Sequence, residues 1–277
     1  MSNNTTSLAP DGIARVLIVA GSDSGGGAGI QADIKTVTAL GGYAATAISA
    51  ITVQDTLGVH GVHGLPADIV RRQMEVVLAD IGADAIKTGM LHSAEIIEAV
   101  ADVISSYEDV PPLVVDPVMV ATSGDRLLER DAEAALIGKL LPLAFIATPN
   151  IHEASVLAGM PVKTAGDMRD AAQALLASGP DCVLVTGGDL GGDMIVDVLA
   201  TPMEIRTFTS PRINTKATHG TGCTLASAIA TFLAQGRDVV DAVEDARDYV
   251  HMAMTRAPGL GAGAGPLDHG WTLRGED

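Results

Sequence analysis

Aromatic residues are scarce in this sequence: Phe, Tyr and Trp make up 3% of its 277 residues. Because 47% of the residues are nonetheless hydrophobic, the core must be built from Ala, Val, Leu and Ile. This composition is typical of buried parallel strands covered by Ala-rich helices. A chain of this length can bury most of its apolar surface without a disulfide or a structural metal.

Basic residues are scarce as well. The chain has 17 Lys and Arg against 34 Asp and Glu, and its formal net charge is −17 at pH 7. This balance excludes a nucleic-acid partner, which needs a basic surface, and an anionic membrane would repel the chain. If a ligand carries phosphates, then helix N-termini, a metal ion or a few local cations must hold them.

The sequence also lacks a disulfide pattern and an apolar run long enough to cross a bilayer, and we expect that the polar residues 1–12 are not a signal peptide. Its two cysteines differ in context, since Cys182 lies in an apolar stretch and Cys223 in a Gly-rich turn. These features predict a cytoplasmic protein. We expect a disordered segment over residues 1–12, followed by a single domain over residues 13–277.

Short Val- and Ile-rich runs alternate with longer amphipathic runs, beginning with a predicted strand over residues 15–20 and a helix over residues 28–40. Such alternation predicts an α/β fold with a mostly parallel sheet. Predicted strands over residues 194–199 and 204–209 have no helix between them, which indicates an antiparallel edge. Ligands of open α/β sheets bind beyond the carboxyl ends of the strands, so the residues after each strand are candidates for a site.

Residues 21–33 (GSDSGGGAGIQAD) form a Gly-rich segment directly after the first predicted strand. Consecutive glycines let the backbone approach a ligand and expose N–H groups at a helix N-terminus. The spacing fits neither the dinucleotide fingerprint nor a P-loop. A tight strand–helix turn explains the segment equally well, so both interpretations stay open.

Residues 219–224 (HGTGCT) lead directly into an apolar helix. Gly220, Thr221 and Gly222 would place several N–H groups at its positive end, where they can stabilise charge that develops during phosphoryl transfer. Cys223 falls in the first turn, where the pKa of a thiol tends to fall. A Gly-rich cap with a buried cysteine is the alternative interpretation.

Polar residues follow two further strands. Asp116 lies in VVDPVM, and Asn150 and Glu153 lie in TPNIHEA. A carboxylate just past a strand end is a plausible ligand for Mg²⁺ or its bound water. Taken singly, Asn150 is also explained by helix capping and Glu153 by an exposed first helical turn.

Seven blocks of the sequence together resemble the hydroxymethylpyrimidine/phosphomethylpyrimidine kinases of the ribokinase-like superfamily. The blocks are AGSDSGGGAGIQADIKT, ITVQDTLGV, KTGML, VVDPVM with SGDRLL, TPNIHEA, INTKATHGTGCTLASAI and GAGAGPLDHGW. The resemblance implies a three-layer α/β/α fold, ATP as donor, and Mg²⁺. It implies phosphorylation of 4-amino-5-hydroxymethyl-2-methylpyrimidine and then of its monophosphate, in thiamine biosynthesis. We also expect a homodimer.

The resemblance assigns roles to individual residues. Asp33 and Gln54 would hold the polar groups of the pyrimidine. Met90 would pack on its ring, and Gly21 and Ala28 would line the pocket.

The same resemblance places the catalytic groups. Cys223 falls at the position proposed to activate the substrate hydroxyl, and residues 220–222 would form the anion hole. Asp116 and Glu153 would serve the metal.

The sequence departs from the family pattern near the predicted nucleotide contacts, which are Asn150, Thr186 and Lys216. Thr186 stands where the family usually has a lysine that contacts phosphate, and Ala217 replaces a common Asn. Lys216 or Arg212 would have to supply the missing charge.

Two other functions remain open. A pyridoxal kinase shares this fold, and Thr186 leaves room for a nucleotide-binding regulator without catalysis. Asp33, Gln54 and Met90 together favour the aminopyrimidine.

Overall fold

Nine β-strands form one sheet in the part of the chain that the structure describes. The structure is a computed structural model, and it describes residues 12–119, 127–128 and 131–274. The strand order is β3-β2-β1-β4-β5-β6-β7-β8-β9. In chain order the strands are β1 (Arg15–Asp23), β2 (Tyr43–Gln54), β3 (Val59–Gly64), β4 (Ala85–Thr88), β5 (Leu113–Val115), β6 (Ile146–Ala147), β7 (Cys182–Val185), β8 (Met194–Ala200) and β9 (Ile205–Pro211).

Two predicted features fall partly or wholly outside the described residues. The disordered segment predicted over residues 1–12 lies outside them except for Gly12. Of the SGDRLL motif, only Leu127 and Leu128 are described.

The centre of the sheet is parallel and both edges are antiparallel. Strands β2, β1, β4, β5, β6 and β7 run in one direction. Strand β3 pairs antiparallel with β2, while β8 and β9 extend the other edge as an antiparallel pair. The mostly parallel sheet and the antiparallel edge are therefore confirmed.

Eight α-helices cover the two faces of the sheet in the described residues. They are α1 (Gly29–Ala39), α2 (Ala67–Asp80), α3 (Ala94–Ser105), α4 (Ala132–Ala135), α5 (Ile151–Leu157), α6 (Ala165–Leu176), α7 (Thr221–Ala234) and α8 (Val239–Thr255). None of these helices has the length and apolar character needed to cross a bilayer.

Strand β1 shows how the sequence supports two helical layers. Its apolar run is buried on both faces, because alternate side chains point to opposite sides of a strand. Leu17 and Val19 belong to the core beneath α2 to α6, whereas Val16 and Ile18 belong to the core beneath α1, α7 and α8. The expected three-layer α/β/α fold is confirmed.

A substitution at Cys182 tests the packing of the core beneath α1, α7 and α8. It begins β7, where it is buried in the same apolar cluster as Ile146 and Leu184, and burial raises the pKa of its thiol to about 11. Cys182→Ser and Cys182→Ala leave nearly the same space, but only serine buries a hydroxyl. We expect the serine variant to be less stable by about 1–3 kcal/mol, as measured by urea unfolding. Equal free energies of unfolding would contradict an apolar environment at this position.

Candidate active site

Five loops meet at the carboxyl edge of the parallel strands, as expected for an open α/β sheet. Three backbone hydrogen bonds join the ends of neighbouring strands: Asp116 N–H to Thr88 O (3.0 Å), Thr148 N–H to Val115 O (2.9 Å) and Thr186 N–H to Pro149 O (2.9 Å). The predicted residues that follow β4, β5, β6 and β7 therefore lie at one edge of the sheet, and those that follow β1 lie there too because β1 pairs parallel with β4.

The turn before α7 packs against the Gly-rich loop after β1. Gly220 has a φ of +83°, and a Cβ atom there would overlap Gly27 O, so only glycine fits. Among the described residues, no side chain caps α7, and Thr221 N–H makes only a 3.4 Å contact with Thr218 O. First-turn N–H groups of α7 therefore stay available to an anion.

Asp23 fixes the conformation of the Gly-rich loop, and the sequence did not single it out. One carboxylate oxygen accepts the N–H of Gly25 (2.8 Å), and the other accepts those of Gly27 (3.0 Å) and Ala28 (2.8 Å). Burial raises the pKa of Asp23, but the hydrogen bonds from His219 and the backbone outweigh it and hold the pKa below its usual value. The loop is therefore a tight turn built around one carboxylate.

His219 links that loop to the turn before α7. Its Nε2 lies 2.9 Å from Asp23 Oδ2 and 3.4 Å from Gln54 Nε2. Because the carboxylate can only accept, Nε2 carries the proton and donates it to Asp23. Gln54 Nε2 is also a donor, so its amide protons stay free for a ligand.

Gln54 and Met90 both lie next to the Gly-rich loop after β1. Gln54 ends β2, where its Oε1 accepts from Thr52 Oγ1 over 3.1 Å. Met90 is buried in a small apolar cluster with Ala50, and a Cβ atom on Gly21 would lie 2.6 Å from Met90 Cε. Gly21 and Met90 are thus in contact.

Asp33 is fully buried and forms an ion pair with Lys87. Its side chain is 0% exposed, and Oδ1 accepts from Lys87 Nζ (2.9 Å) and from Ser227 Oγ (2.7 Å). Asp33 Oδ2 has no hydrogen-bond partner among the described residues, so the expected contact between Asp33 and the substrate stays a prediction. Lys87, which the sequence reasoning passed over, is the ion-pair partner of Asp33.

Cys223 is half-buried in the first turn of α7, and its thiol does not behave as expected. Burial raises the pKa of Cys223 to about 12, against the opposing effect of Lys87, and the charges of Asp33 and Asp116 raise it further. A hydrogen bond from Gly29 N–H lowers it only in part. The prediction of a lowered thiol pKa is wrong, because desolvation outweighs the helix N-terminus.

Asp116 and Glu153 form a pair of buried carboxylates. Burial raises the pKa of both, and the charge of Asp116 adds to the shift at Glu153. Glu153 accepts Asn150 N–H (2.9 Å) and Met119 N–H (3.2 Å), while Asn150 Oδ1 accepts Glu153 N–H (2.9 Å). Asn150 and Glu153 therefore form a capping box, and the interpretation of Glu153 as an exposed acid is wrong.

Asp116 and Glu153 fit a divalent cation that takes its remaining ligands from water and phosphate. Asp116 Oδ2 is buried and has no hydrogen-bond partner among the described residues. In the same part of the chain, no group of three or more His, Cys, Asp or Glu side chains could hold a metal ion. Mg²⁺ suits such a place because it commonly keeps water and phosphate oxygens beside one or two carboxylates.

The predicted nucleotide contacts lie along the neighbouring strand ends. Thr186 follows β7 and forms a bridge with Asn150. Arg212 donates to the carbonyls of Gly188 (2.8 Å), Gly192 (2.8 Å) and Leu190, so its guanidinium closes the loop after β7. Lys216 is exposed, and its ammonium has no partner among the residues described. Lys216 is therefore better placed than Arg212 to meet a phosphate.

The C-terminal segment ties two walls of the site together. Ala264 N–H donates to Thr56 O (2.9 Å), beside Gln54, and His219 N–H donates to Gly265 O (3.1 Å). Further along, His269 Nε2 lies 3.0 Å from Thr224 Oγ1, next to Cys223. The β2–β3 loop and the turn before α7 are thus held at a fixed separation.

The model of the phosphomethylpyrimidine kinase family matches residues 23–268. The chain belongs to this family. The hydroxymethylpyrimidine/phosphomethylpyrimidine kinase of Streptomyces coelicolor is 49% identical over 258 residues, which cover 93% of this chain and 95% of the relative.

Two solved structures extend the comparison. The ADP complex of Bacillus subtilis pyridoxal kinase has a TM-score of 0.87 at 38% identity, covering 93% of this chain and 97% of that one. The phosphomethylpyrimidine kinase of Clostridium difficile has a TM-score of 0.76 at 41% identity, covering 86% and 98%. The family relationship and the ribokinase-like fold agree with the resemblance seen in the sequence.

Asp23 and Lys87 carried signals in the sequence that went unused. Asp23 precedes a Gly-rich run, and such a carboxylate commonly accepts loop N–H groups. Lys87 follows the apolar residues Ala85 and Ile86 in a stretch that predicts a central strand, and a lysine buried in such a strand must be paired. His219 had no comparable local signal, because its partner is 196 residues away.

Asp23→Asn should loosen the Gly-rich loop, because an amide offers one acceptor oxygen where the carboxylate offers two. Since the folded pKa of Asp23 lies below its unfolded value, its ionised form stabilises the fold above about pH 4, and this contribution is lost as pH falls through the folded pKa. We expect the variant to lose about 1–3 kcal/mol at pH 7, and to approach the wild type in acid. Urea unfolding at several pH values measures this.

Asp55→Asn is the matched control. Asp55 also accepts two loop N–H groups and lies beside a histidine, but it is exposed to water. Its substitution should change stability little. A loss as large as that of Asp23→Asn would contradict the special role of the buried carboxylate.

Proposed function

We propose that this protein transfers phosphate from ATP to 4-amino-5-hydroxymethyl-2-methylpyrimidine, and then to the monophosphate, to give the pyrophosphate used in thiamine biosynthesis. The observation that carries this proposal is the meeting of two features in one place. The uncapped N-terminus of α7, with Cys223 in its first turn, follows His219, which lies beside Gln54, and Met90 lies against Gly21 in the adjoining Gly-rich loop. The names of the relatives support the same activity.

The pocket offers the chemistry that an aminopyrimidine needs. The Gln54 side chain has a donor and an acceptor, which can match an amino group and the adjacent ring nitrogen. Its free amide protons and the acceptor Oε1 lie at the end of β2. Met90 presents a polarisable apolar surface for the ring.

The anion hole would stabilise the transferred phosphoryl group. Phosphoryl transfer proceeds through a loose transition state, so positioning and charge stabilisation matter more than a strong base. Residues 220–222 and the start of α7 would supply N–H groups aimed at the phosphate oxygens. Because burial raises the pKa of Cys223 to about 12, its thiol would have to lose its own proton to water before the thiolate could accept the hydroxyl proton late in the reaction.

Asp116 and Glu153 would hold Mg²⁺, directly or through water. Mg²⁺, when bound, supplies positive charge to the phosphate oxygens. Asn150, Thr186 and Lys216 would contact the nucleotide. Of these, Lys216 contributes a positive charge and Thr186 a hydroxyl.

The predicted homodimer and cytoplasmic location are also proposals. Ile51 and Val53 lie on one face of β2, beside the edge strand β3, and are 42% and 62% exposed. A second copy of the chain would cover this apolar patch. Two unpaired cysteines suit a reducing compartment.

Substrate preference tests the proposed activity against pyridoxal kinase, which the structural similarity favours as the second candidate. We expect kcat/KM for hydroxymethylpyrimidine to exceed that for pyridoxal, by up to roughly 10⁴, because a site built to pair with polar groups rejects analogues that leave them unpaired. Coupled ATPase assays with both substrates measure the ratio. In the Gln54→Leu variant, the kcat/KM values for the two substrates should be closer together.

Equal or reversed kcat/KM values in the wild type would contradict the assignment and favour a pyridoxal kinase. ATP binding without turnover of either substrate would instead indicate a non-catalytic regulator.

Cys223→Ala tests the proton acceptor. We expect the variant to bind hydroxymethylpyrimidine almost normally and to lose kcat by roughly 10²–10⁴, the usual effect of general-base catalysis. Cys223→Ser keeps the turn but is a poorer base, so it should show a similar loss. Measuring kcat and the pyrimidine Kd separates chemistry from binding, and Cys182→Ala is the control.

Near-full kcat in Cys223→Ala would mean that the thiol is only a packing residue. Catalysis would then rest on the anion hole and the metal.

A further inference from the structure

The buried pair of Lys87 and Asp33 has no part in the activity described so far. Lys87 lies in β4, between β1 and β5, and both side chains of the pair are 0% exposed. Asp33 lies in α1, and Ser227 in α7 donates to the same carboxylate oxygen. One strand and two helices therefore meet at a single charged contact.

Stability alone does not explain this contact. Removing two ions from water costs several kcal/mol per ion, and replacing a buried pair with apolar residues is often neutral or stabilising. Breaking such a pair by removing one partner is strongly destabilising, because the other charge is left buried. The location of the pair next to the candidate active site therefore suggests what it does.

On one side, the ammonium supports the loop that carries Met90. A Cβ atom on Gly89 would lie only 3.0 Å from Lys87 Nζ, so the ammonium lies close against this backbone. Gly89 N–H donates to Val19 O over 2.9 Å, which fixes the loop to β1. Met90 follows directly.

On the other side, the pair braces the two helix N-termini that meet at Cys223. Asp33 lies one turn into α1, whose first residue, Gly29, donates its N–H to the Cys223 thiol. Ser227 lies four residues after Cys223, so the two share one face of α7. The contact that holds Ser227 therefore also sets the orientation of Cys223.

The ammonium is also a permanent charge in an acidic site. Burial lowers the pKa of Lys87, but Asp33, Cys223 and Asp116 raise it above its usual value, so the side chain stays protonated. Asp33 Oδ2 and Asp116 Oδ2 are both buried without a hydrogen-bond partner among the described residues. Lys87 is the cation that offsets these acids from within the fold.

We propose that Lys87 is a positioning residue for phosphoryl transfer: held by Asp33 and Ser227, its ammonium sets the Met90 loop against the first turn of α7 and keeps a positive charge beneath Cys223 and Asp116. This inference rests on the proposed kinase activity. It gives Asp33 a role through Lys87 instead of a direct contact with the pyrimidine.

The double variant Lys87→Met/Asp33→Asn tests the proposal. Methionine keeps the length of the lysine stem, and asparagine keeps an acceptor for Ser227, so neither partner of the pair leaves the other as a lone buried charge. We expect its urea midpoint to recover most of the loss caused by Lys87→Met. Its kcat should stay roughly 10²-fold low, the scale of a small misplacement at the reacting centre, with a nearly unchanged Kd for hydroxymethylpyrimidine.

Two further variants distinguish an effect on kcat from a loss of stability. Ser227→Ala leaves both charges in place, so it should fold and lose kcat by less than the double variant. Arg15→Met/Asp84→Asn removes a second partly buried pair, with a 2.7 Å separation, at the opposite end of β1. This control should lose stability and keep kcat.

A double variant with restored stability and wild-type kcat would overturn the proposal and make the pair purely structural. A large rise in the pyrimidine Kd with unchanged kcat would also overturn it, because Asp33 would then be a substrate ligand. A wild type that phosphorylates no tested substrate would refute the proposed kinase activity itself, and this assignment with it.

Discussion

The ion pair of Lys87 and Asp33 is the constraint on which the arrangement of the site depends. Because both groups are fully buried, neither can reach water without breaking the contact. The pair joins β4 to α1 and, through Ser227, to α7. The loop of Met90 and the first turn of α7, where the substrate and the reacting phosphate would meet, are therefore held relative to one another by one internal charge.

Apart from Lys216, the described residues in the rest of the site offer little positive charge. Burial raises the pKa of Asp116, Glu153 and Cys223, so each of these groups resists ionisation. A nucleotide would bring further negative charge to this edge of the sheet. The cation that balances it must arrive with the nucleotide, which agrees with a chain of net charge −17 and with the carboxylate oxygen left unpartnered on Asp116.

The sequence was sufficient where the determining signals are local. The parallel sheet follows from the alternation of elements, and the Gly220 turn follows from glycine spacing next to an apolar helix. The sequence was not sufficient for features that depend on burial or on partners far away in the chain. His219 meets Asp23 across 196 residues and Lys87 meets Asp33 across 54, so neither contact has a local pattern. The thiol pKa was misjudged for the same reason, since desolvation depends on the whole fold.

The central claim is that the pocket of Gln54 and Met90 presents a hydroxymethyl group to the first turn of α7. A crystal structure with hydroxymethylpyrimidine and a Mg²⁺ complex of a non-hydrolysable ATP analogue tests it most directly. The account predicts the Gln54 amide in hydrogen-bond contact with the aminopyrimidine edge, the ring against Met90, and the hydroxymethyl oxygen directed at Cys223. A pyrimidine bound elsewhere, or with its hydroxymethyl group turned away from residues 220–223, would contradict the account.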